Sequence, residues 1–167
     1  CRRHCACEHN PGRPGPASGG SSVRSTKSKP SARAALEKTG LGVVGHTGWH
    51  LPGNAAYKEV RRGVTESLLW SLANLRALGA KTMTYHIHGA VARYVGLKAA
   101  IRAQAETLRP VAEAAGALGM RLLLEHINAH EEQFEILDGL FERVPSLGFH
   151  LDVGHANISP DRTNCAG

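Results

Sequence analysis

Residues 8–164 contain no cysteine, because Cys1, Cys5, Cys7 and Cys165 stand at the two ends of the chain. A disulfide scaffold is thereby excluded for the body of the protein, and a reducing, cytoplasmic setting is expected. Long apolar runs are also missing. None approaches the roughly 20 residues that a membrane span requires, so no membrane association is expected. Net charge of one sign is missing from most of the chain as well. Of the formal +6, residues 1–30 carry +5, whereas residues 31–167 hold fourteen Lys/Arg against thirteen Asp/Glu. A nearly neutral body argues against an extended nucleic-acid surface. Finally, no Gly-rich phosphate loop of the G-x-G-x-x-G or G-x-x-x-x-G-K type follows an apolar run, which weighs against a dinucleotide fold.

The charge that exists lies in residues 1–30, a stretch rich in Gly, Pro, Ser and Arg without apolar periodicity. It reads as a basic tail that is disordered or foreign to the fold, and a chain beginning with Cys rather than Met is not expected to start at its natural N-terminus. His4, Cys5, Cys7 and His9 lack the second ligand pair that a zinc knot would need. The domain is expected over 31–167, with Ser31 capping a short helix that ends at Gly40.

From Leu41 onward apolar strands alternate with helix patterns. A strand at 41–46 leads to a helix capped by Asn54, with Val60, Val64, Leu68, Leu72 and Leu75 on one face. Strand 81–88 places Thr82, Thr84, His86 and His88 on one side and Met83, Tyr85 and Ile87 on the other. A helix over about 95–118 contains Pro110, predicted to kink or divide it. Strand 120–125, helix 131–143 and strand 147–152 follow, the last running into a loop. Strand, helix and short link in repetition predict an α/β fold of parallel strands with right-handed crossovers, about four strand–helix units in all.

The strands end on ligand-type residues: His46, His86 and His88, Glu125, and Asp152 with His155 three residues on. In parallel α/β folds that edge is where ligands bind. Burying Glu125 and Asp152 without partners would cost several kcal/mol, so each requires a metal, a cation such as Arg121, or several donors. Oxygen ligands mixed with imidazole suit Mn²⁺, Mg²⁺, Co²⁺ or Zn²⁺. Trp49, His50, Leu51 and Pro52 would wall a pocket beside His46. His150, one step deeper than Asp152 on its strand, reads as a satisfied core histidine, and His126, facing away from Glu125, as structural. Arg61, Arg62 and Arg93 could reach a phosphate, with solvated helix charges the commoner outcome.

His46-Thr47-Gly48-Trp49, His86-Ile87-His88-Gly89, Leu124-Glu125-His126 and Leu151-Asp152-Val153-Gly154-His155-Ala156 together resemble the xylose isomerase-like (β/α)₈ superfamily, in its sugar phosphate isomerase/epimerase branch. The resemblance implies a partial TIM barrel over about residues 38–160. It implies a divalent metal held by Glu125, Asp152 and His155, and a sugar or sugar phosphate contacted by His46, Trp49, His86, His88 and His155. Glu125 and His155 would be catalytic, moving a proton beside a carbonyl through an enediolate. Zinc-dependent abasic-site endonucleases of the same superfamily are the alternative, using His46, one of His86 or His88, Glu125, Asp152 and His155. A complete barrel has eight strands and typically about 250 residues. Four units, matching the second to fifth, leave out the later His and Glu ligands. A half-built site and exposed strand edges further imply an inactive chain or a homo-oligomer.

Overall fold

The computed structural model describes residues 28–89, 95–127 and 131–157. Most of the basic tail, Arg93, His130 and Cys165 lie outside them. Among the described residues, nine elements run in the order α1 (Ser28–Thr39), β1 (Gly45–His46), α2 (Lys58–Ala77), β2 (Thr82–His86), α3 (Leu97–Ala117), β3 (Arg121–Glu125), α4 (Glu131–Arg143), β4 (Gly148–His150) and α5 (Val153–Asn157). The strands form one four-stranded parallel sheet in sequence order. This is the parallel α/β arrangement that the alternation predicts, and it is consistent with the partial TIM barrel that the resemblance implies.

Helices α2, α3 and α4 cover one face. Met83, Tyr85, Leu122 and Leu124 point at them and are fully buried against Leu68, Leu72, Leu108, Ile136 and Leu140. Alternation then sends Thr84, His86, Leu123, Glu125 and His150 to the other face. The register aligns them in rows: His46 pairs with Thr84, Thr84 with Leu123, His86 with Glu125, and Glu125 with His150. The row at the carboxyl edge is therefore imidazole, carboxylate, imidazole.

Several boundaries depart from the sequence reading. Helix α1 begins at Ser28 rather than after Ser31. Only Gly45 and His46 of the 41–46 run pair as strand, and Leu41 and Val44 are exposed. No strand pairs with their outer side among the described residues. Helix α2 is entered through Tyr57 instead of Asn54. Asn54 is fully buried, and its side-chain amide donates to the carbonyl of His88. Pro110 leaves α3 as one helix of 21 residues. Pro110 and Glu106, whose carbonyl loses its partner, both lie on the exposed side, where water can satisfy the unpaired oxygen.

The link between β1 and α2 is latched from beneath. Tyr85, fully buried, donates its hydroxyl to Leu51 O at 2.9 Å and accepts the Gly53 N–H at 2.9 Å. Thr107 donates to Gly53 O at 2.7 Å. A Cβ at Gly53 would fall 2.5 Å from the Tyr85 hydroxyl, so the close approach depends on glycine. Burial pushes the Tyr85 phenol well above its ordinary range, keeping it neutral and able to donate. Tyr85→Phe strands the buried Gly53 N–H and removes one donor from the Leu51 carbonyl, and it is expected to lower unfolding free energy by about 1–3 kcal/mol in urea titrations. An unchanged midpoint would contradict the latch.

Candidate metal centre

Glu125 is the last residue of β3 and follows three leucines, so its carboxylate is carried into the sheet by the strand that buries them. Only 1 % of the residue is exposed. Four imidazoles surround it. His86 Nε2 and His155 Nδ1 each lie 3.1 Å from Oε1, while His46 Nε2 lies 3.0 Å and His150 Nδ1 3.3 Å from Oε2. No Lys or Arg reaches it among the described residues. Arg121, the cation considered from sequence, sits at the opposite end of β3 and donates to Leu147 O at 3.3 Å.

The protons on these rings decide what the cluster can do. His46 Nδ1 is 2.7 Å from the carbonyl of Thr47, and His155 Nδ1 is 3.0 Å from the carbonyl of His126. A carbonyl only accepts, so both Nδ1 atoms carry hydrogen. In its neutral form His46 therefore aims a bare Nε2 lone pair at a carboxylate oxygen. His86 has both ring nitrogens buried without a hydrogen bond, despite the nearness of Glu125. Lone pairs facing a buried carboxylate oxygen repel unless a cation or a proton lies between them. Backbone carbonyls that fix imidazole tautomers are the arrangement that metal-binding histidines use.

Two groups of side chains bring their ligand atoms within 4.8 Å of one another: His46 with His86 and Glu125, and Glu125 with Asp152 and His155. Glu125 belongs to both. The residues present thus fit a divalent ion, with hard oxygen and borderline nitrogen donors in one place.

Asp152 has a second task. Its Oδ1 accepts the His155 N–H at 3.0 Å and its carbonyl the Ala156 N–H at 2.9 Å. The segment read from sequence as a loop is consequently the helical turn α5, with Asp152 as its cap. The His155 N–H, before any other cause, holds the Asp152 carboxyl below its ordinary range and keeps it ionised. His155 Nδ1 lies 3.9 Å from Asp152 Oδ2.

The remaining candidates are placed as follows. His88 lies beyond the end of β2, with its ring 5.7 Å from that of Tyr85 and its N–H bonded to Gln104 Oε1. It stands apart from both ligand groups, whereas His86 joins one. Trp49 is exposed, its ring edge-on to His50 at 6.2 Å. His126 is buried between the rings of Phe134 and Phe149. His150, expected to be a satisfied core residue, is partly exposed and reaches Glu125. Its position on the face of Asp152 was visible in sequence, but its alignment with Glu125 depends on the β3–β4 register. Arg61 is held by the carbonyls of Ala55 and Ala56 and by Glu106, and Arg62 pairs with Glu66.

Burial holds His86 below its ordinary 6.5; Glu125 partly offsets this, while His46 and His155 push further down. His88 is lowered from 6.5 in the same way, by burial first and then by His86. With folded values below unfolded ones, the unfolded chain takes up protons that the folded chain refuses. Their stabilising contribution is thus complete above pH 6.5 and is lost as pH falls below 6.5 towards the folded values. The urea midpoint is expected to be lower at about pH 5.5 than at about pH 7.5, and equal midpoints would contradict this assignment.

The description xylose isomerase-like TIM barrel matches residues 15–165. A D-tagatose 3-epimerase-like protein superposes with a TM-score of 0.67 at 20% identity, covering 80% of this chain and 53% of its own. A Thermus thermophilus protein, from crystals soaked with ZnCl2, gives 0.63 at 27% identity, with 81% and 55% covered. A family 2 AP endonuclease from Brucella melitensis gives 0.55 at 20% identity, with 77% and 54% covered. The chain spans about half the length of these structures. No curated protein sequence matches it significantly. Among the described residues, no helix is long and apolar enough to cross a membrane.

Proposed function

The chain belongs to the xylose isomerase-like TIM barrel family, and on that footing we propose that it forms the metal-holding part of a sugar or sugar phosphate isomerase/epimerase. The observation that carries this reading is Glu125, 1 % exposed and ringed by four imidazoles at the carboxyl edge of a parallel sheet. Glu125, Asp152 and His155 would hold the ion, and His46 and His86 form a second ligand group with the same Glu125. A divalent ion bound there would polarise a sugar carbonyl and offset the negative charge that builds up when the neighbouring proton leaves.

The chain's own residues would do the rest. Glu125, desolvated and acceptor-only when ionised, can take a proton from the carbon beside a carbonyl and return it. His155, its Nδ1–H spent on the His126 carbonyl, has Nε2 as its one remaining lone pair, to be taken by the ion or by a sugar hydroxyl. His46 and the exposed Trp49 stand at the start of the latched link and would contact the sugar. Of the two histidines, His86 at the end of β2 would share this role, a reading supported by its place in a ligand group, and His88, beyond the end of β2, would support the loop.

One observation favours a second reading. The two ligand groups share Glu125, and a shared carboxylate suits more than one ion, as a zinc-dependent abasic-site nuclease would need. The near-neutral body weighs against it. The test loads the protein with Mn²⁺ or Co²⁺ and gives it a panel of ketoses and sugar phosphates in D₂O. Deuterium at the carbon beside the carbonyl is the expected result. Incision of an abasic duplex without any exchange would replace the sugar reading with the nuclease one.

A further inference from the structure

We propose that His150 is a positioning residue that holds the Glu125 carboxylate in the orientation needed to bind a metal from the open face of the sheet. The parallel register puts His150 directly beside Glu125. Its Nδ1 lies 3.0 Å from the hydroxyl of Thr84 and 3.3 Å from Glu125 Oε2. Thr84 is fully buried and rigidly placed, since its carbonyl also accepts the Thr47 N–H at 3.0 Å.

None of the other imidazoles, when neutral, offers a hydrogen to Oε2, since His86 and His155 face Oε1 and His46 turns its bare Nε2 to Oε2. The Nδ1 hydrogens of His46 and His155 are committed to the carbonyls of Thr47 and His126. Both ring nitrogens of His86 are without hydrogen bonds, and its Nε2 faces Oε1. His150 is the member of the ring whose Nδ1 lies between a hydroxyl and the carboxylate; the carboxylate only accepts, so the role requires of His150 the Nδ1–H tautomer, which points a hydrogen at Oε2. A carboxylate anchored at one oxygen by a fixed donor keeps the remaining lone pairs aimed at the ion, and losing such a donor typically costs about 10–100-fold in metal affinity. The role rests on the reading of Glu125 as a metal ligand.

The experiment titrates Co²⁺ into the 167-residue chain well below its unfolding temperature, following the visible Co²⁺ absorption and the dissociation constant. His150→Leu is expected to bind about 10–100-fold more weakly with an altered spectrum. His150→Asn, which can place an amide N–H near the former Nδ1, is expected to recover most of the affinity. If His150 only filled space, the leucine variant would change thermal stability but leave affinity and spectrum unmoved, and that result would overturn the proposal. Should His150→Leu fail to fold, Thr84→Val decides in its place: a comparable loss supports the role, and wild-type binding overturns it. A wild-type chain that binds no Co²⁺ removes the ligand reading of Glu125 and this role with it. Wild-type binding matched by His150→Leu removes the role of His150 alone.

Discussion

Glu125→Gln is expected to weaken Co²⁺ or Zn²⁺ binding by more than about 100-fold, beyond the range seen when only an outer hydrogen-bond partner of a ligand is lost. The reason is that Glu125 serves both ligand groups, so one substitution removes the charged donor from each. The amide keeps the size and shape of the carboxyl, and the fold should survive. It also brings an NH₂ group to a place where His46 in its neutral form aims a bare nitrogen, which relieves part of the repulsion in the metal-free chain. Metal affinity and folding stability are thus expected to part company, the first collapsing while the second holds or rises. Calorimetric titration of metal into the variant, beside a urea curve, reads both. Binding as tight as in the wild type would show that Glu125 is held by the imidazoles for structural reasons alone.

The second large effect separates the two tasks of Asp152. Asparagine caps a helix nearly as well as aspartate, so Asp152→Asn should keep the N–H of His155 bonded and α5 in place. What it loses is the charge beside Glu125, and metal affinity is expected to fall by at least about 10-fold. Asp152→Ala loses the cap as well. Its His155 ring should then wander, with hydrogen exchange over residues 153–157 rising only in this variant. If both variants bind metal like the wild type, Asp152 is a cap and nothing more. If both lose the turn, the charge and not the capping geometry holds α5.

How much of this could be read in advance follows from the range of the interactions involved. Helix α4, bounded by Pro145 and striped with Leu137 and Leu140, is found at the positions its pattern predicts, because local periodicity carries the whole signal. The alternation of Thr84 and His86 against Met83 and Tyr85 is equally local and equally legible. Asn54 is different. Its polar side chain has the chemistry of a cap, yet it is spent on a carbonyl 34 residues away, which no local pattern reveals. The 41–46 run has strand composition, but Leu41 and Val44 have no neighbouring strand to pair with on the outer side among the described residues.

In the site, residue types at strand ends pointed to Glu125, Asp152, His46 and His155, since a carboxylate closing an apolar strand is costly wherever it occurs. That His86 rather than His88 joins a ligand group needed the exact end of β2. The contact of His150 needed its register against β3. The tautomers needed the carbonyls of Thr47 and His126, which become acceptors only once the chain has turned at each strand end.

The most direct measurement of the central claim is anomalous diffraction from crystals of the chain grown with Zn²⁺ or Co²⁺. An anomalous peak is expected at about 2.0–2.2 Å from a Glu125 carboxylate oxygen and from at least one imidazole nitrogen. A peak elsewhere, or none, with Glu125 hydrogen-bonded only to protonated histidines, would contradict the account.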